Sequence, residues 1–167
     1  MTAPEQGTRG FRYRRYRETV VAAKIDEAFA FLAHPDAMVL LDVPWTGIRL
    51  VSGPPRPLGL ASEREYIFRW SRIPVYLRVR VTEYDCPYRL SIDQVLGPWR
   101  RFRNVSTLRS FPGGTVIGEE TDVVAMPGVV DHVVHRLKVA RQLDAIDAYR
   151  HGALLRHLGT PELPRHG

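Results

Sequence analysis

The segment Ile73–Met126 reads IPVYLRVRVTEYDCPYRLSIDQVLGPWRRFRNVSTLRSFPGGTVIGEETDVVAM, and its alternation of apolar and polar side chains decides the fold. Successive residues of a strand point to opposite faces. Val75, Leu77, Val79 and Val81 therefore share one face, and Tyr76, Arg78, Arg80 and Thr82 share the other. Leu90, Ile92 and Gln94 oppose Arg89, Ser91 and Asp93. Phe102, Asn104, Ser106 and Leu108 oppose Arg101, Arg103 and Arg109. Asp85-Cys86-Pro87-Tyr88, Gly97-Pro98 and Pro112-Gly113-Gly114 separate the runs with turn residues. Four strands joined by short turns, with no helix between them, form an antiparallel meander. Its inward face is apolar apart from Gln94, Asn104 and Ser106, which suits either a ligand pocket or a satisfied core.

Outward from this segment the chain reads in order. Residues 1–10 are polar and predict a disordered lead-in. Phe11–Ala22 alternates as a first strand. Ala23–Ala33 follows as a short helix, with Ile25, Ala28, Phe29 and Leu32 at helical spacing. His34-Pro35 breaks it; His34 is expected to bond locally, and Asp36 to cap a second helix to Leu41. A strand is expected over Thr46–Val51, then a proline-dense linker, then a strand over Leu60–Trp70. On that strand Arg64, Tyr66, Phe68 and Trp70 are read as inward, which brings Arg64 to a pocket mouth. The last element is a helix over Val129–Leu158, about 45 Å long. Val130, Val133, Leu137, Ala140, Leu143, Ile146, Arg150 and Leu154 trace its apolar face. Gly159-Thr160-Pro161 stops it, and a tail follows.

At 167 residues, 44% hydrophobic and 25% charged, this is the composition of one ordinary globular domain. No apolar run near Met1 predicts a secretory signal, and none approaches a membrane span. The single cysteine, Cys86, excludes an internal disulfide and fits the reducing cytoplasm. A net charge of +6 and a pI near 9.9 raise the question of nucleic acid. Apart from Lys24 and Lys138 the cations are all arginines, scattered over the outward parity of several strands except for the cluster Arg9, Arg12, Arg14, Arg15 and Arg17, so a solvated face is the better account.

Signatures of catalysis are few. There is no phosphate-binding glycine loop, no H-E-x-x-H and no G-x-S-x-G. His132 and His135 lack a third ligand, so neither a metal nor another cofactor is expected. Asp147 stands at the edge of the long helix's apolar face. There it is either a desolvated acid or base, or a surface ion pair with Arg150 and His151. Gln94 and Asn104 either donate to a ligand carbonyl or tie to backbone. Glu119, Glu120 and Asp122 are expected to divide between solvent and edge positions.

The motifs Pro44-Trp45, Gly59, Ile73-Pro74, Gln94-x-x-Gly97-Pro98-Trp99, Gly113-Gly114-Thr115 and Leu143-x-x-Ile146-x-x-Tyr149-Arg150 span residues 11–159. In this order the chain resembles the SRPBCC, or START-related, superfamily, in particular its small bacterial polyketide cyclase/dehydrase-like branch. The resemblance implies an α+β helix-grip fold: a curved antiparallel sheet around a long C-terminal helix, with an internal cavity. It implies a small hydrophobic or polyketide-like ligand and either cyclisation or dehydration chemistry of secondary metabolism, or a non-catalytic carrier or sensor. Where relatives carry aromatic and histidine residues, this chain has Phe102, Asn104, Ser106 and Asp147, which implies a more polar wall. In the enzyme reading Asp147 is the general acid/base, Gln94 and Asn104 are hydrogen-bond donors, and Arg64 orients an acidic group. Tyr66, Phe68, Leu77, Val79, Leu90, Ile92, Phe102, Ser106, Leu143, Ile146 and Arg150 complete the expected binding wall. The expected partner is a small molecule, with a homodimer left open; nucleic acid and a membrane span are not expected.

Overall fold

The computed structural model describes residues 11–52, 56–126 and 133–161. It contains strands β1 (Arg12–Val21), β2 (Arg49–Leu50), β3 (Glu63–Trp70), β4 (Ile73–Asp85), β5 (Arg89–Leu96), β6 (Arg101–Phe111) and β7 (Gly114–Val124). The helices are α1 (Ile25–Leu32), α2 (Asp36–Leu40) and α3 (Val133–Leu158), with a 3-10 turn at Pro44–Thr46. All strands join one curved antiparallel sheet in the order β1-β7-β6-β5-β4-β3-β2. The expected meander is therefore present, and the first strand closes onto the last, Arg12 opposite Val124 and Val21 opposite Thr115. Register shifts at Arg78/Val79 and Val81/Glu83 add the local bend that bulges supply.

The inward parity is as read: Leu77, Val79, Val81 and Leu90 are buried, as are Tyr66 and Phe68 of β3. The outward arginines are mostly paired across strands. Arg80 meets Glu63, Arg78 meets Glu65, Arg89 and Arg103 meet Glu83, and Arg12 grips Asp122 through two bonds of 2.8 Å. Cross-strand pairs of this kind stabilise register more than they add to total stability.

The core divides in two. Phe29 and Leu32 of α1, Leu90, Leu108 and Ile117 of the sheet, and Ala153, Leu154 and Leu158 of α3 form one cluster. Tyr66, Phe68, Leu77 and Val79 form a second with Met38, Val39 and Ile48, and no residue of α3 belongs to it. Of Leu77, Val79, Leu90 and Phe102 on the inward face of the sheet, only Leu90 shares the cluster of α3, and the other three line the open space between sheet and helix. The two ends of α3 differ for a geometric reason. Its last turn is tied to the end of β1, with the Ala22 and Ala23 N–H groups donating to Gly159 and Leu158 (2.9 Å each). Gly159 adopts φ +82°, the left-handed cap that ends the helix as expected. Tyr13, near the start of β1, meets Asp144. Leu137 lies two turns earlier, about 10 Å beyond that contact, and is 55% exposed rather than part of the buried face.

Smaller differences concern local chemistry. Thr46–Val51 was expected as a strand, but Pro44 starts a 3-10 turn and only Arg49–Leu50 pairs with β3. The strand expected from Leu60 begins at Glu63, after Ala61 at φ 63°. Pro35 rather than Asp36 occupies the N-cap of α2. His34 Nδ1 accepts the Asp36 N–H (3.3 Å), the local bond expected of it. The lead-in over residues 1–10, His132, the helix expected before Val133 and the tail beyond 161 lie outside the described residues.

Candidate functional site

Between the two core clusters is a cavity of about 160 Å³, more than ten times the ~15 Å³ that one water requires. Tyr66, Phe68 and Trp70 of β3, Leu77 and Val79 of β4, and Ile92 of β5 make its apolar wall. Leu143 and Ile146 of α3 face it from the other side, and Phe102 of β6 joins them. The aromatic residues lie on one parity of their strands, so the wall follows from the period-2 pattern.

Polar groups enter from β6, β7, α3 and the segment before the 3-10 turn. Glu119 of β7 is buried, not divided between solvent and edge as expected; only its neighbours Glu120 and Asp122 carry outward pairs. Arg150 of α3 donates from Nε to both Glu119 oxygens (2.8 and 2.9 Å) and from Nη2 to Oε1 (2.7 Å). The Glu119 side chain is only 9% exposed and that of Arg150 22%. Burial pulls the Arg150 pKa down, but the charge and hydrogen bonds of Glu119 hold it above its ordinary value. Asn104 Nδ2 donates to Thr121 Oγ1 (3.0 Å), and both residues line the cavity.

Asp147 also lines the cavity, and its partners are neither Arg150 nor His151. Its Oδ2 accepts from Arg17 Nε (2.7 Å) and Nη2 (2.6 Å), with Arg15 Nε at 3.6 Å. His151 Nδ1 instead meets Thr19 Oγ1 at 2.7 Å. The inward parity of β1 (Tyr13, Arg15, Arg17, Thr19) is thus a polar rail that holds α3.

Asp42, which sequence reasoning passed over, also lines the cavity. It accepts the Val43 N–H at Oδ1 (2.8 Å) and the Thr46 hydroxyl at Oδ2 (3.0 Å), and it has no ion pair among the described residues. Burial pushes its pKa up, and the Thr46 and Val43 hydrogen bonds and the charge of Arg150 only partly oppose this. The sign of the linkage follows. A carboxyl whose folded pKa is raised keeps its proton longer when folded, so its contribution favours folding at low pH. That contribution is lost as pH rises from the unfolded value through the folded one. Asp42→Asn is therefore expected to flatten that part of the stability–pH curve and to raise stability near neutrality. Urea unfolding across the acid range checks this, and a variant parallel to the parent at every pH would remove Asp42 as the cause.

Three expected site residues sit elsewhere. Gln94 spans the β5–β6 turn, Nε2 donating to the Trp99 carbonyl (2.7 Å) and Oε1 accepting the Trp99 N–H (3.4 Å). Leu90 belongs to the core under α1. Ser106 is buried with its hydroxyl 3.5 Å from Glu119 Oε1 and does not line the cavity. Arg64 does line it, but its Nη1 and Nη2 donate to the Glu63 and Arg56 carbonyls (2.7 and 3.2 Å). Its Nε is buried without a partner. The Tyr66 hydroxyl donates to the Pro35 carbonyl (2.9 Å), and burial pushes its pKa up to about 12.

No protein-family model matches the sequence, and no curated protein does. Solved structures do. Ara h 8.0201 aligns over 87% of this chain and 99% of its own, with a TM-score of 0.57 at 13% identity. The two share a fold, a curved antiparallel sheet with a long C-terminal helix. The protein CV1439 from Chromobacterium violaceum shares this fold over 90% of this chain and 98% of its own (TM-score 0.62, 10% identity). The same fold recurs in BexL, a di-domain ARO/CYC from the BE-7585A biosynthetic pathway, at TM-score 0.63 and 13% identity. That match covers 90% of this chain and 51% of BexL. Identities this low carry the fold, and the chemistry must be argued from the residues.

Proposed function

We propose that this chain binds a small hydrophobic or polyketide-like molecule in its cavity and promotes cyclisation or dehydration by orienting it and lending acid/base help. The observation that carries this reading is the asymmetry of the cavity. Aromatic and aliphatic side chains make one wall, while Asp42, Asn104, Glu119, Thr121, Asp147 and Arg150 converge on it from another side. An apolar wall takes up the carbon skeleton, and a few fixed polar groups hold its oxygens in one orientation. The likeness of fold to the ARO/CYC di-domain BexL supports a ligand of that class.

In this reading the acid/base part falls to Asp42, a half-buried carboxyl without an ion pair among the described residues, rather than to Asp147, which Arg17 occupies. Asn104 keeps one amide hydrogen beyond its bond to Thr121, enough to serve a ligand carbonyl. One observation favours a second reading, a carrier or sensor without turnover. Most of the polar groups already satisfy one another, as Glu119 with Arg150, Asp147 with Arg17 and Asn104 with Thr121.

Two experiments separate the readings. Native mass spectrometry of the purified chain is expected to show a small molecule that leaves on denaturation, or failing that, displacement-sensitive uptake of an apolar fluorophore. The absence of both signals would sink the binding reading itself. With candidate polyketide substrates, Asp42→Asn is expected to lower turnover by about a hundredfold while the fluorophore still binds. Binding without any Asp42-dependent turnover leaves the carrier.

A further inference from the structure

We infer that the cavity end of the molecule is a docking surface for an anionic lipid membrane. Five segments meet at this end. The β3–β4 hairpin turns at Trp70–Ile73, and the β5–β6 connection runs from Leu96 to Arg101. Arg101 and Arg12 both lie opposite Val124, which shortly precedes Met126. The 3-10 turn joins them through edge-to-face tryptophans, Trp45 to Trp70 at 6.1 Å and Trp70 to Trp99 at 5.4 Å between ring centroids. A groove lined by Trp45, Leu137, Lys138 and Arg141 brings in the start of α3.

This end displays apolar side chains that a solvated surface does not need. Ile73 is 65% exposed, Leu96 and Leu137 are 55% exposed, and Trp45 is 47% exposed. Val95 and Met126 stand exposed beside them. Around them are Arg69, Arg72, Arg100, Lys138 and Arg141, all exposed and without an ion pair among the described residues. The contrast with the sheet's outer face is the point: there arginines meet carboxylates, and here the cations are left unpaired. At the opposite end Asp26, Glu27 and Asp85 are exposed beside Lys24 and Arg156, so that pole is close to neutral. The charge is therefore polarised along the axis that ends at these apolar tips, which turns that end toward a negative surface.

The choice of a lipid surface over an acidic protein rests on the apolar residues. Tips of separate loops, with tryptophan among them and cations around them, suit insertion at the headgroup level. No helix among the described residues is long and apolar enough to cross a membrane, and the contact is peripheral. It would place the cavity against the phase in which apolar ligands dissolve, while docking itself requires no ligand.

The test uses the full chain with vesicles of phosphatidylcholine alone and of phosphatidylcholine mixed with phosphatidylglycerol. Co-sedimentation is expected only with the anionic vesicles, weakening as salt rises, with a blue shift of tryptophan emission. Arg72→Gln with Arg141→Gln should weaken binding roughly thirtyfold, since each cation near an anionic surface contributes about 1 kcal/mol. Ile73→Asp should weaken it as well, although it leaves every cation in place. All three sites are exposed, and thermal melts confirm that the variants fold. No binding to anionic vesicles overturns the inference. So does binding that Ile73→Asp leaves intact and that soluble polyglutamate competes away, which would mark a plain polyanion site. Uptake of the apolar fluorophore without vesicles reports the cavity separately, so the two readings can fail independently.

Discussion

Arg150→Met is expected to lower stability by about 3 kcal/mol, because removing one partner of a buried ion pair leaves the other charged, desolvated and unpaired. Arg150 is the only cation bonded to Glu119 among the described residues, through three contacts of 2.7–2.9 Å. Without it, Glu119 retains Ser106 at 3.5 Å and shares the cavity with the carboxylates of Asp42 and Asp147. Like charges in a low-dielectric space raise the cost further. The double variant Glu119→Gln, Arg150→Met should recover most of the loss, since neither charge then remains. Guanidinium unfolding of the single and double variants measures this. A single variant as stable as the parent would show that the pair is not structural.

Leu154→Ala should cost about 3 kcal/mol, the ordinary price of deleting a packed leucine. Leu154 is fully buried in the cluster that joins α3 to Phe29, Leu32 and Ile117. Leu143→Ala, on the same helix, should cost well under half as much. Leu143 faces the cavity, so part of its surface already lacks protein neighbours and loses little when shortened. The comparison tests the division of α3 into a packed C-terminal half and a half that roofs open space. Equal losses by thermal or chemical unfolding would argue that the helix is packed along its whole length.

These two residues also show what the sequence makes legible. The periodicity of Leu143, Ile146, Arg150 and Leu154 marks the helix face, and the alternation from Val75 to Val81 marks the inward side of the sheet. Both are local patterns that repeat within a few residues. Periodicity does not say whether a face meets atoms or space, so Leu143 and Leu154 look alike in sequence. The Glu119–Arg150 pair joins residues on β7 and α3, and nothing near either names the other. Arg17 misleads in the same way, because Tyr13, Arg15, Arg17 and Thr19 read as a solvated edge until α3 lies against them. Asp42 sits between elements, where no period operates. Only the neighbouring Asp42-Val43-Pro44-Trp45-Thr46, a turn-prone run with a hydroxyl four residues on, hints at its hydrogen bonds. Gln94 failed for a related reason: parity aims it inward, but the Gly97-Pro98 turn beside it leaves backbone groups that its amide satisfies.

The sheet order leaves two terminal strands, β1 and β2, each with one unpaired edge within the sheet. β2 is two residues long and offers no template to another chain. β1 is ten residues long, enough for a second copy to add a strand and begin an aggregate. Four of its first six residues are arginines, Arg12, Arg14, Arg15 and Arg17. An identical strand laid alongside in parallel register would bring a second such run within a few ångströms of the first. Charged side chains on an exposed strand edge discourage that addition.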